Sequence, residues 1–138
     1  MAACNAHQCT SSSAGTHVCP LNGIPYKKVS LTTILHNIRA PWRWKPSAQT
    51  YYFCDDPECN AAYFGSDDTI IDIDRLRTAT ALKRNTEDAL LCHCFGVSMH
   101  DVTNDPALKT FVIEQTRDGT CACETRNPSG RCCLKDFP

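Results

Sequence analysis

No feature limits what this chain can fold into more than the placement of its cysteines. Eleven of its 138 residues are cysteine, and the last six fall as Cys92-His-Cys94, Cys121-Ala-Cys123 and the tandem Cys132-Cys133. Side chains two apart in a loop can turn toward one small inorganic body. Two such groups, joined by a helical stretch, make a nest of thiolates suited to an iron–sulfur cluster. An earlier set, Cys19, Cys54 and Cys59, suits zinc. The expected organisation is a flexible tail over 1–16, a zinc-binding domain over 17–75, a linker over 76–91 and an iron–sulfur-binding domain over 92–138.

At 15.3 kDa the chain holds one domain or two small ones. A unit of about 60–80 residues rarely gains enough from apolar burial alone, and metals or disulfides make up the shortfall. A secreted disulfide scaffold is disfavoured. The cysteine count is odd and the Cys-x-Cys and Cys-Cys pairs are crowded. The first twenty residues lack the basic cluster and apolar segment of a secretory signal. The expected location is the cytoplasm, where thiols stay reduced and clustered cysteines serve as metal ligands. A net charge of −1 with balanced signs argues against a nucleic-acid surface. No apolar run approaches membrane-spanning length, so no membrane insertion is expected. Ser, His and Asp are scattered with no nucleophile-bearing turn, so any enzymatic activity is at most the reduction of a metal.

In the first half, Leu31, Ile34, Leu35 and Ile38 fall at helical spacing, with Ser30 as N-cap and Pro41 as a stop, predicting a helix near 31–39. Trp42 and Trp44 belong to a loop expected to lay indole surface on the core. Thr50–Phe53 and Ala61–Phe64 read as strands bracketing a Cys54-x4-Cys59 turn, and Thr69–Ile73 as a third strand. Cys19, Cys54 and Cys59 are the zinc ligands. The fourth is ambiguous: Asn22 stands where a Cys-Pro-x-Cys-Gly knuckle would carry its second thiol, and Cys9, His17 or His36 could fill the gap, with Cys9 or His17 favoured.

The second half reads as loop–helix–helix–loop. Ser98 caps a short helix with Asp101 in its first turn, Asp105-Pro106 starts the next, and Gly119 ends it. Cys92 and Cys94 form the firm pair of cluster ligands. Adjacent residues cannot easily both face one cluster, so Cys132 and Cys133 supply one ligand between them. Cys123 and Cys133 are favoured, with Cys121 and Cys132 as alternates. Backbone N–H groups near Gly96 and Gly130 are expected to donate to cluster sulfurs. His93 reads as an exposed loop residue in preference to one that carries a proton or tunes the cluster potential, and Met99 as packing. The fold class is α+β: a small zinc-knuckle β-hairpin with a helix, followed by a helical iron–sulfur domain.

The segments Tyr52-Phe-Cys54…Cys59…Tyr63-Phe64, Cys92-x-Cys94-Phe-Gly-Val97 and Cys121-x-Cys123-Glu-x-x-Asn-Pro-x-Gly-x-Cys-Cys133-Leu134 resemble the N-terminal zinc and [2Fe–2S] region of CopZ-type copper chaperones. The second half is also similar to the bacterioferritin-associated ferredoxin-like [2Fe–2S] domain. The resemblance spans roughly residues 17–137 and departs at Asn22, where the family carries a cysteine. It implies an accessory protein of copper homeostasis that reduces Cu(II) to Cu(I), carries Cu+, or both, beside a redox or copper-handling partner. The Met-x-Cys-x-x-Cys domain of full-length chaperones has no match here, so copper would use the remaining thiols Cys4, Cys9, Cys121 and Cys132, which suit Cu+. The alternatives are a plain [2Fe–2S] electron-transfer protein serving an oxidoreductase or metal-storage partner, and a metal or redox sensor. Because the helical pair has little core of its own, stripping iron with a chelator is expected to abolish its far-ultraviolet dichroism; unchanged helicity would count against a structural cluster.

Overall fold

The computed structural model describes residues 15–84 and 86–138. The expected tail, with Cys4 and Cys9, lies almost wholly outside them. Five strands, β1 Thr16–Val18, β2 Pro25–Val29, β3 Tyr51–Phe53, β4 Ala61–Gly65 and β5 Ile70–Asp72, pair antiparallel in sequence order. Successive side chains of a strand point to opposite faces. Tyr51 and Phe53 therefore face one way, Tyr52 and Cys54 the other. The first face packs Ile34, Ile38, Tyr63, Ile71 and Leu76; the second packs Cys19, Cys59, Phe64 and half-buried Tyr26. With both faces covered, every residue of β4 is buried, and a bulge between Ala61 and Tyr63 adjusts its register against β5.

Helix α1, Leu31–Asn37, begins where Ser30 Oγ accepts from the Thr33 amide at 3.1 Å. Of its apolar pattern, only Ile34 and the following Ile38 are buried, alongside the polar Thr33 and Asn37; Leu31 and Leu35 stay exposed. The helix stops earlier than expected because Ile38 turns extended and bridges to Leu76. The two indoles divide. Trp44 packs edge-on against Tyr51 at 5.3 Å, but Trp42 is 80% exposed and covers no core. The β1–β2 hairpin is an addition to the expected strands, closed by the turn Cys19-Pro-Leu-Asn-Gly23: the Gly23 amide bonds the Cys19 carbonyl at 2.9 Å, and Gly23 takes φ +76°, which its missing Cβ permits.

In the second half, β6 Leu90–Cys92 and β7 Val97–Ser98 form a two-stranded ribbon, so this part is not purely helical. A reciprocal cap starts α2, Met99–Asn104: Ser98 Oγ accepts from the Asp101 amide and the Asp101 carboxylate from the Ser98 amide, each at 3.1 Å. Helix α3, Ala107–Arg117, follows Pro106, and the Asp105 carboxylate accepts from the Ala107 amide. Helix α4 is Cys123–Arg126, and a 3-10 turn spans Cys133–Asp136. The core here is Leu91, Val97, Val102, Val112 and Phe137 together with Cys92, Cys121, Cys123 and Cys133. Nearly half of it is sulfur.

The stretch 76–91, read as a linker, is packed, with Leu76, Thr80, Lys83 and Ala89 buried. Direct hydrogen bonds also cross between the halves. Thr33 Oγ1 donates to the Glu124 carbonyl at 2.6 Å and Asn37 Nδ2 to the Thr125 carbonyl at 2.8 Å. The Tyr63 hydroxyl donates to the Pro128 carbonyl at 2.5 Å, deep in the interior. Three acceptors, two on α4 and one just after it, are thus held by the first half. Tyr63→Phe leaves a buried carbonyl without its donor and should lower stability by about 1–3 kcal/mol, seen as a lower denaturation midpoint at constant metal content; an unmoved midpoint would show that the bond contributes nothing.

Candidate metal centres

The first centre lies on the sheet face opposite α1. Cys19 ends the β1 side of its turn, Cys54 follows β3, and Cys59 closes the loop returning to β4. The Cys54 amide bonds the Ala62 carbonyl at 2.9 Å and the Cys59 amide the Asp56 carbonyl at 3.1 Å, so both thiols hang from backbone fixed by the hairpin. All three sulfurs are buried and lie within 4.8 Å of one another, with Cys19 and Cys59 at 3.9 Å. Burial pushes the Cys54 thiol up to about 11, opposed by donors at the sulfur, the Lys83 ammonium among them. A closely spaced, buried set of three sulfurs suits a divalent cation, which would supply the missing positive charge. The donor set fits zinc.

Of the fourth-ligand candidates, Cys9 lies outside the described residues. His17 does not join the sulfurs: its ring stacks on Tyr52 at 5.3 Å and its Nε2 meets Asp68 Oδ1 at 3.2 Å. His36 belongs to α1, across the sheet, and lines a cleft with His93. Asn22 is close but turned the other way. Its Nδ2 donates to Tyr26 Oη and Asp56 Oδ2, both at 3.0 Å, and approaches Cys54 Sγ at 3.5 Å, while Oδ1 accepts from the Ile24 amide. Among the described residues, no fourth Cys, His or carboxylate shares the sulfurs' mutual reach. The sequence singled out neither Lys83, whose Nζ lies 3.7 Å from Cys54 Sγ, nor its part in this centre.

The second centre is a ring of sulfurs. Cys94 and Cys123 approach to 3.6 Å. The Cys92 sulfur meets Cys133 and Cys94, and Cys133 meets Cys123 as well. No three of these four satisfy the 4.8 Å mutual distance met at the first centre, so the ring is wider. Proton sharing splits its members. The thiols of Cys133 and Cys94, with the Phe95 and Cys94 backbone amides, hold Cys92 down at about 3, while contacts with Cys123 and Cys92 drive Cys133 far up. Four clustered sulfurs cannot all ionise without a cation among them. Cys121 is buried in the same core outside the ring, and Cys132 is half-buried.

The amide donors differ from those expected. Ala122 donates to Cys94 Sγ at 3.0 Å, and Phe95 rather than Gly96 serves Cys92. The Gly130 amide is engaged by the Asn127 carbonyl at 2.8 Å. His93 is not an exposed loop residue. It is half-buried, its Nε2 has no partner among the described residues, and burial lowers it to about 4. It lines a cleft of about 410 Å³ with His36, Arg77 and Arg126.

Residues 16–77 match the CopZ zinc binding domain. The chain is 30% identical over 95 residues to the copper chaperone CopZ of Archaeoglobus fulgidus, a match covering 65% of this chain and 45% of that protein. It thus spans less than half the length of this curated relative. The X-ray structure of the Archaeoglobus fulgidus CopZ N-terminal domain superposes with a TM-score of 0.69 at 26% identity, covering 88% of this chain and 99% of that one. The similarity therefore reaches beyond the zinc-binding part into the second half. No described helix is long and apolar enough to cross a membrane. Cys54→Ser should abolish stoichiometric zinc in dialysed protein, from about one ion per chain to none, whereas His17→Ala should leave it in place; metal analysis of both variants decides, and loss of zinc from His17→Ala would place the imidazole among the ligands.

Proposed function

We propose that this chain is a metal-handling module of copper homeostasis, with zinc held by Cys19, Cys54 and Cys59 and a [2Fe–2S] cluster held by Cys92, Cys94, Cys123 and Cys133. The observation that carries this reading is the difference in size between the two sulfur groups. Zinc–thiolate bonds of about 2.3 Å place the sulfurs of one tetrahedral ion roughly 3.8 Å apart. The compact trio suits that spacing. The ring, too wide for any three of its sulfurs to close around one point, suits a body with two metals. The match of residues 16–77 to a zinc binding domain supports the zinc assignment, and the likeness to a copper chaperone makes copper the expected cargo.

When bound, such a cluster supplies one electron at a time. The chain's residues set the conditions. Cys92, Cys123 and Cys133 are buried and Cys94 half-buried, so the protein shields the ring. Ala122 N–H donates to Cys94, and the Phe95 and Cys94 amides to Cys92, stabilising negative charge on these sulfurs. The soft thiols of Cys121 and Cys132 remain for Cu+. Cys132, half-exposed beside Cys133, is the more reachable.

Protein purified without air is expected to be brown and to hold about two irons and one zinc per chain. Cys123→Ser and Cys133→Ser should lose the iron, while Cys121→Ser and Cys132→Ser should keep it. Competition with a Cu(I)-specific chelator then separates the roles: tight Cu+ binding weakened by Cys132→Ser supports carriage, and no copper affinity beside a reversible one-electron couple assigns plain electron transfer. Colourless protein without iron, or iron retained by Cys123→Ser and Cys133→Ser, would refute the cluster assignment.

A further inference from the structure

Lysine is seldom buried unless an anion meets it. Lys83 is 3% exposed. Its Nζ donates to the Asp56 carbonyl at 2.5 Å and reaches Cys54 Sγ at 3.7 Å. Nearby carboxylates are otherwise occupied: Asp56 accepts from Asn22 and the Glu58 amide, and Asp74 pairs with Arg84 at 2.8 Å. Among the described residues, no acidic side chain forms an ion pair with Lys83. The Asp56 carboxylate lies near enough to feel this charge without pairing with it, and the Cys54 sulfur is the side-chain atom that Nζ reaches. Metal-bound cysteines are thiolates, and three of them on one dication leave a net negative charge that an ammonium in a dehydrated site balances.

The backbone carrying Lys83 leads directly to the second centre. Its amide and that of Arg84 bond the Thr80 carbonyl at 3.0 and 2.9 Å, closing a turn. The Ala81 amide donates to the Leu90 carbonyl, and the Leu90 amide to the Ala79 carbonyl, both at 2.9 Å. Leu90 opens β6, and β6 ends at Cys92. One polar contact to Cys54 is therefore separated from a cluster cysteine only by a hydrogen-bonded strap.

We propose that Lys83 is a positioning residue that couples the two metal centres, its ammonium docking on the thiolates of the loaded first centre and thereby firming the hydrogen-bonded segments 79–84 and 90–92, the second of which carries Cys92. The inference rests on the two-centre reading above and adds a link between the centres. Coupling of this kind is reciprocal, so filling either centre helps to retain the metal of the other.

The test is hydrogen exchange of the full chain across 79–92, with zinc present and after its removal, in wild type, Lys83→Met and Lys83→Arg, with Lys83→Gln measured alongside should the methionine variant not fold. In wild type, zinc should slow exchange of the Ala81 and Leu90 amides about tenfold. Lys83→Met or Lys83→Gln should abolish that dependence and weaken zinc binding about tenfold in equilibrium competition with a chelator. Lys83→Arg, which keeps the charge, should retain both behaviours. Zinc-independent exchange in wild type, or a zinc response unchanged in the neutral variants, overturns the coupling while leaving the two-centre reading standing. Wild-type protein that takes up no zinc overturns both.

Discussion

Buried sulfur is the constraint on which this structure turns. Seven of the nine described cysteines are buried, and they supply much of the packed volume in two of the three cores. A free thiol packs as a small hydrophobe, but several in contact compete for protons and leave charge that apolar neighbours cannot solvate. The proximity that lets Cys19, Cys54 and Cys59 fill space beneath Tyr52 and Phe64 is what suits them to a cation. The same holds for the ring around Cys123. Core packing and metal chemistry are here one property.

That constraint explains why the halves lean on each other. A second half whose interior is nearly half cysteine has few aliphatic contacts with which to position its last loop. The first half supplies the position instead, through Thr33, Asn37 and Tyr63, each donating to a carbonyl of the 124–128 segment. Arg131 adds a partly exposed pair to Asp55 at 3.1 Å, beside the Cys54 turn. Such an ion pair contributes about 1 kcal/mol at most, so the buried hydrogen bonds carry the docking. The loop they hold runs from Cys123 toward Cys133, which is why the sheet and α1 bear on a ring to which they contribute no sulfur.

Much of this was legible residue by residue. Ser30 and the reciprocal Ser98–Asp101 cap follow from local hydrogen bonding, and the Cys54–Cys59 turn follows from two flanking runs of aromatic and small apolar residues. Where sequence reading misplaced residues, a distant partner had decided the matter. Leu31 and Leu35 share a helical pattern with Ile34 and Ile38, yet only the latter meet the sheet. Trp42 has the composition of a core residue and lies in solvent. The strand pairing of residues 16–29 leaves little periodicity in the sequence because each strand is short and β1 is only partly buried.

The sequence by itself determined that the protein would gather sulfur in two places, since cysteine spacing and turn chemistry act within a few residues and need no fold to be read. It determined most helix starts for the same reason. Only the tertiary structure decided which sulfurs meet, that His17 is drawn off by Asp68 and Tyr52, that the Gly130 amide belongs to Asn127, and that Lys83 arrives beside Cys54 from 29 positions away. Each of these is a contest between partners remote in sequence, settled by which face of a strand or helix a side chain occupies once the chain has packed.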